Sequence, residues 1–192
     1  MVLASASTAR AEMFRRIGVP VLLEPAGIDE RAIEKGLGSA SPGEIAGALA
    51  AAKAFAVAAR RPDAVVIGAD QTLDCEGRLF HKPADRAGAE AHLAALAGRT
   101  HRLTSVASVV VEGVERVRVA GEARLAMRPL DDAAVERYLD AAGPDVLSSV
   151  GCYRVEELGA SLFEGIEGDW FTILGLPLLP LLSELRRLGH IA

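Results

Sequence analysis

Val66-Ile67-Gly68-Ala69-Asp70-Gln71-Thr72-Leu73-Asp74-Cys75-Glu76-Gly77-Arg78-Leu79-Phe80-His81-Lys82-Pro83 is the stretch on which the fold turns. Residues 64–67 form a short apolar run that reads as a buried strand feeding directly into Asp70. A hairpin follows. A two-residue turn on Glu76-Gly77 forces Glu76 to positive φ, so the expected loop is three residues, Cys75-Glu76-Gly77, with Gly77 in the left-handed position. That register sets Asp74 opposite Arg78 and Asp70 opposite Lys82, with Cβ atoms about 5 Å apart. Such a carboxylate–ammonium pair reads equally as a catalytic pair and as a cross-strand salt bridge, worth about 0–1 kcal/mol when exposed. The chain has eighteen arginines and three lysines, Lys35, Lys53 and Lys82. Where arginine is the default cation, a lysine marks a position that favours a compact point charge, such as a phosphate contact.

Outward from this segment, strand and helix signals alternate, which indicates an α/β chain. Residues 2–4 read as a strand, followed by a helix from Thr8 to Ile17 that Gly18 stops, and by a second strand over 21–23. Ser41-Pro42-Gly43-Glu44 carries the cap, the N1 proline and the third-position glutamate that open a helix running to Arg60. Asp85 caps a helix that ends at Gly98. A long strand over 103–111 turns at Glu112-Gly113 into another over 114–125. Asp131 or Asp132 caps a helix stopped by Gly143, a short strand is expected over 160–163, and a terminal helix over 177–188. The expected architecture is one domain over 1–192, with an extended mixed central sheet, helices at both ends, and two lobes around a cleft.

The 192 residues are 51% hydrophobic and 24% charged, enough to bury a sizeable core. A net charge of −5 argues against nucleic acid as a partner, since counterion release needs a basic face. An anionic substrate must instead meet a local cluster of cations. No apolar run reaches the roughly 18–20 residues of a bilayer crossing, so no membrane partner is expected. Met1-Val2-Leu3-Ala4-Ser5 has no secretory character. Cys75 and Cys152 read as reduced thiols, which with the missing leader suggests a cytoplasmic protein. The four histidines have no zinc-like spacing, and none is assigned as a ligand.

Ser5-Ala6-Ser7-Thr8-Ala9-Arg10 spans a strand-to-helix junction. Backbone N–H groups, hydroxyls and one arginine there suit a phosphate, while simple capping by Ser7 or Thr8 explains the same residues. Gly98-Arg99-Thr100-His101 reads both as a helix stop with a strand start and as part of a site. Glu30, placed in a loop after the second strand, is a candidate to share a magnesium ion with Asp70. Asp70-Gln71-Thr72-Leu73-Asp74 superficially matches the aspartyl phosphatases, but Gly68 stands where their nucleophile belongs, which removes covalent phosphoryl transfer.

Together these segments resemble the Maf family of nucleoside triphosphate pyrophosphatases, closer to its 7-methyl-GTP branch than to its dTTP/UTP branch. The likeness runs through Leu3-Ala4-Ser5-Ala6-Ser7, Asp29-Glu30, Ala51-Ala52-Lys53-Ala54, Gly68-Ala69-Asp70, Lys82-Pro83, Gly98-Arg99-Thr100-His101, Phe163-Glu164-Gly165-Ile166-Glu167-Gly168-Asp169 and Gly175-Leu176-Pro177-Leu178. The resemblance implies hydrolysis of a nucleoside triphosphate to the monophosphate and pyrophosphate, house-cleaning of the nucleotide pool, and dependence on Mg²⁺, Mn²⁺ or Co²⁺. It implies Asp70 as proton acceptor, with Lys53 and Lys82 also catalytic. Ser5, Ser7, Arg10, Glu30, Gln71, Arg99 and Glu156 would bind substrate, and Asp70 and Glu30 the metal. A homodimer is compatible with it.

This chain departs from the family in two places. Thr8-Ala9-Arg10 replaces the usual Pro-Arg-Arg, and His81 replaces a small residue before Lys82-Pro83. Where the branches differ, the pyrimidine branch carries Arg, Thr and Gln and the 7-methyl-GTP branch Trp, Gln and Glu; here stand Ala9, Gln71 and Glu156. Guanine presents N1–H and its 2-amino group as adjacent donors, which suits a carboxylate. Ala9 cannot stack on a cationic base as Trp would. The alternatives are a dTTP/UTP pyrophosphatase and a non-enzymatic regulator of cell division or septum formation.

Overall fold

The computed structural model describes residues 1–192. Its elements run β1 (Val2–Ala4), α1 (Thr8–Arg16), β2 (Leu22–Leu23), α2 (Glu30–Gly36), α3 (Pro42–Ala58), β3 (Val66–Cys75), β4 (Arg78–Phe80), α4 (Arg86–Leu96), β5 (Thr100–Val111), β6 (Val114–Met127), α5 (Asp132–Ala142), β7 (Phe163–Gly168), α6 (Trp170–Ile173) and α7 (Leu178–Arg187). Two 3₁₀ turns, Pro144–Ser148 and Leu158–Leu162, precede β7. The seven strands form one mixed sheet in the order β2-β1-β3-β5-β6-β7, with β4 paired to β3.

The chain forms two compact units. One comprises Met1–Gln71, Thr104–Gly121 and Asp169–Ala192; the other comprises Thr72–Leu103 and Glu122–Gly168. In the first unit β1 pairs in parallel with β2 on one side and with β3 on the other. The strand alternation sorts its core into two faces. Leu3, Ile67, Ala69, Ala107 and Val109 pack with Met13 and Phe14 of α1 and with Leu178, Leu181, Leu182 and Leu185 of α7. Val2, Ala4, Val66 and Val110 pack with Ala54, Val57 and Ala58 of α3. A Cβ at Gly68 would run into the Ala50 carbonyl, so helix α3 lies with its backbone directly on β3. Ser41 and Glu44 close the expected capping box at the start of α3.

In the second unit β3 and β4 form the hairpin, β6 pairs antiparallel with β7, and α4 packs on α5. Asp85 and Asp131 cap α4 and α5, each accepting from a backbone N–H.

Four expectations change. The hairpin register is Leu73↔Phe80, Asp74↔Leu79 and Cys75↔Arg78, so the turn is the two residues Glu76-Gly77, at φ 52° and 81°. Two positive φ values match the right-handed twist of the flanking strands. That match outweighs the roughly 1–2 kcal/mol of placing a side chain in the left-handed region. Glu112 and Gly113, at φ 53° and 73°, repeat the solution between β5 and β6. The ladder stops at Phe80, so the expected cross-strand pairing of Asp70 with Lys82 does not form. Glu30 opens a helix, with the Asp29 side chain accepting from Ala32 N at 3.0 Å, and does not sit in a loop. Residues 158–162 form a 3₁₀ turn, and the late strand begins at Phe163.

Candidate active site

Strand β1 ends at Ala4 opposite Gly68 of β3. The chain then leaves through Ser5 into α1 and returns as β2 on the far side of β1. Neighbouring connections therefore diverge between β1 and β3, and a crevice at such a switch point, outside the carboxyl ends of the strands, is where open α/β sheets bind ligands. Asp70 follows Gly68 by two residues, so both face α3.

The close approach of α3 brings Lys53 onto that carboxylate. Lys53 Nζ donates to Asp70 Oδ1 at 2.7 Å and lies 2.9 Å from Glu30 Oε1. Lys53 and Asp70 are both 8% exposed. Burial pushes the Asp70 carboxyl above its ordinary 3.8, against the opposing pull of Lys53 and Arg10. One ammonium thus holds two carboxylates, one buried and one half-exposed.

The β1–α1 junction supplies the second part. Ser7 caps α1, its hydroxyl accepting from Arg10 N at 3.3 Å, and Ser5 Oγ accepts from Ser7 N at 3.1 Å. The Arg10 guanidinium donates through Nε to Gly175 O at 2.7 Å, and through Nη1 to Ala69 O at 3.1 Å and Ser5 Oγ at 3.4 Å. Arg10 therefore ties the junction to the residue before Asp70 and to the turn that precedes α7. Desolvation pulls its pKa down, while Asp70 and Glu30 counteract that pull.

Gln71 Nε2 has three acceptors, Ser105 Oγ at 3.0 Å, Thr172 O at 2.9 Å and Ile173 O at 3.1 Å. A primary amide has two N–H groups, and backbone carbonyls can only accept, so the amine end is committed within the protein. What Gln71 can offer a ligand is its carbonyl oxygen.

Ser5, Ser7, Arg10, Glu30, Lys53, Asp70 and Gln71 thus all belong to the first unit, and Lys82, Arg99 and Glu156 to the second. Lys82 is exposed beyond the end of β4. Arg99 Nη1 lies 3.4 Å from Glu76 and donates to Ala95 O at 3.3 Å. Glu156 is exposed and makes no hydrogen bond or ion pair. Ser105, Thr172 and the Gly175 carbonyl escaped the sequence reading. The last lies in the family-like stretch Gly175-Leu176-Pro177-Leu178, and a main-chain acceptor leaves no side-chain signal.

A family description, Maf-like protein, matches residues 1–188. The chain belongs to the Maf family. Among its Maf relatives, a nucleoside triphosphate pyrophosphatase of Nitrobacter winogradskyi is 52% identical over 97% of this chain and 92% of its own. A 7-methyl-GTP pyrophosphatase of Mesorhizobium japonicum is 50% identical over 100% of this chain and 97% of its own. Another 7-methyl-GTP pyrophosphatase, from Rhizobium etli, is 49% identical over 100% and 97%. In this Maf chain no helix is long and apolar enough to cross a membrane.

Proposed function

We propose that this Maf protein is a metal-dependent pyrophosphatase that converts a guanine-type nucleoside triphosphate, such as 7-methyl-GTP, to its monophosphate and pyrophosphate. The observation that carries the reading is the Lys53 ammonium bridging Asp70 and Glu30 at the β1/β3 switch point. Relatives at about half identity over nearly their whole length bear names for the same reaction.

Asp70 accepts the proton of a water attacking the α-phosphorus, as the bond to the bridging oxygen breaks and pyrophosphate leaves. Burial makes its carboxylate a stronger base than a solvated aspartate, and Lys53 keeps it ionised and oriented. Arg10 and the α1 N-terminus place positive charge beside it for the phosphates. Two carboxylates and no third His, Cys, Asp or Glu converge there. That oxygen-only pair fits magnesium, which binds through one or two carboxylates and completes its shell with water and substrate phosphates. A divalent cation on Asp70 and Glu30 would neutralise charge on the triphosphate oxygens. Glu156, unpartnered, is the group suited to the two adjacent donors of guanine.

The test measures pyrophosphate released from 7-methyl-GTP, GTP, dTTP and UTP with Mg²⁺, Mn²⁺ or Co²⁺. Guanine-type substrates are expected to turn over fastest, and a chelator to abolish the reaction. Asp70→Asn should lower kcat by about two to four orders of magnitude with nucleotide binding retained. Orthophosphate as the first product, or an unimpaired Asp70→Asn enzyme, defeats the proposal, and faster pyrimidine turnover defeats its guanine part.

A further inference from the structure

Within the second unit, the segment that carries Glu156 is held by an unusual arrangement. His101, on β5, is 1% exposed, and its Nε2 lies 2.6 Å from Tyr153 Oη. The Tyr153 ring stands edge-on to Phe163 at 4.8 Å between centroids and folds back over Gly151, where a Cβ would run into it. Cys152 adopts φ 59°, a left-handed conformation that side chains disfavour, and its carbonyl accepts from Tyr138 Oη at 3.2 Å. Cys152 and Tyr153 are thus pinned from α5 and β5, three to four residues before a carboxylate that makes no bond of its own.

The histidine is an expensive choice for a packing role. Burial pushes its imidazole down to about 4, so it is neutral, with one N–H and one lone-pair nitrogen. Nδ1 is buried and unpartnered. An apolar side chain would avoid that unmet bond, so the use of His101 lies in the bond that Nε2 makes.

We infer that the His101–Tyr153 hydrogen bond is the anchor that holds Glu156 in position to select the base. This rests on the reading that Glu156 recognises a guanine-type base. His101 and Tyr153 are positioning residues that do not touch substrate. Tyr153→Phe removes the hydroxyl and keeps the ring over Gly151 and against Phe163. Loss of the anchor leaves Cys152 held by Tyr138 but frees Tyr153 from β5, which shifts Glu156 three residues on and weakens recognition of the base.

The experiment compares wild type, Tyr153→Phe, His101→Leu, the double variant and Glu156→Gln, using 7-methyl-GTP and UTP with Mg²⁺. Tyr153→Phe is expected to raise KM for 7-methyl-GTP about 5- to 20-fold with kcat within about twofold, and to leave kcat/KM for UTP within about twofold. The double variant should be no worse in selectivity than either single one, since both remove the same bond. If Glu156→Gln lowers the 7-methyl-GTP/UTP ratio and Tyr153→Phe does not, the anchor is refuted and the reading of Glu156 survives. If Glu156→Gln also leaves the ratio unchanged, that reading fails and the anchor falls with it. Should His101→Leu not fold, Tyr153→Phe alone decides.

Discussion

At position 101 a buried imidazole links pH to stability. Its ordinary value is 6.5 and burial lowers it to about 4 in the fold. Below pH 6.5 the unfolded chain takes up a proton that the folded chain refuses until about pH 4. The contribution of this group is therefore complete above pH 6.5 and is lost as pH falls towards 4, by up to about 3 kcal/mol. Replacing His101 with Gln removes the titration, so melting temperature should fall less steeply between pH 6.5 and 4 than in wild type; parallel curves would contradict this. Residue identity alone marked His101 only as part of Gly98-Arg99-Thr100-His101, because its partner stands 52 positions downstream. Arg10 shows a similar limit. Its charge beside a helix start was legible as a phosphate contact, but the carbonyls of Ala69 and Gly175 that hold it belong to other elements.

Among the elements, contact between α3 and β3 decides the site. Ala50 and Ala54 on the helix and Gly68 on the strand leave no room for a further carbon. Gly68→Ala should lower stability by about 1–3 kcal/mol through overpacking. It should also depress kcat, because pushing α3 away draws Lys53 off Asp70. A variant with full melting temperature and full turnover would refute the coupling. The capped helices α3, α4 and α5 and the strands β5 and β6 were legible, since caps, apolar runs and turn glycines are local signals. Helix α2 was not: it buries no residue, so it has no apolar stripe to read. The β3–β4 turn was misjudged because the strain at Glu76 is local, whereas the twist that outweighs it belongs to the paired strands.

For the whole molecule, the chain passes repeatedly between its two units, and β3, β5 and β6 each contribute residues to both. Neither unit is a continuous stretch of sequence, and each strand is one hydrogen-bonded element. Calorimetric unfolding is accordingly expected as one transition, with calorimetric and van't Hoff enthalpies equal; two resolved transitions would show the units melting separately.

Sequence alone determined the alternating strand–helix order, most of the caps, the acidic balance and, through motifs kept in order along the chain, the Maf family. It also picked out Asp70, Glu30 and Lys53 as residues of interest. Only the tertiary structure decided that Lys53, and not the hairpin residue Lys82, bonds Asp70. Local signals report a residue's own conformational preference. Which cation meets a buried carboxylate depends on how closely a helix and a strand far apart in sequence can pack, and that is a property of the assembled layers.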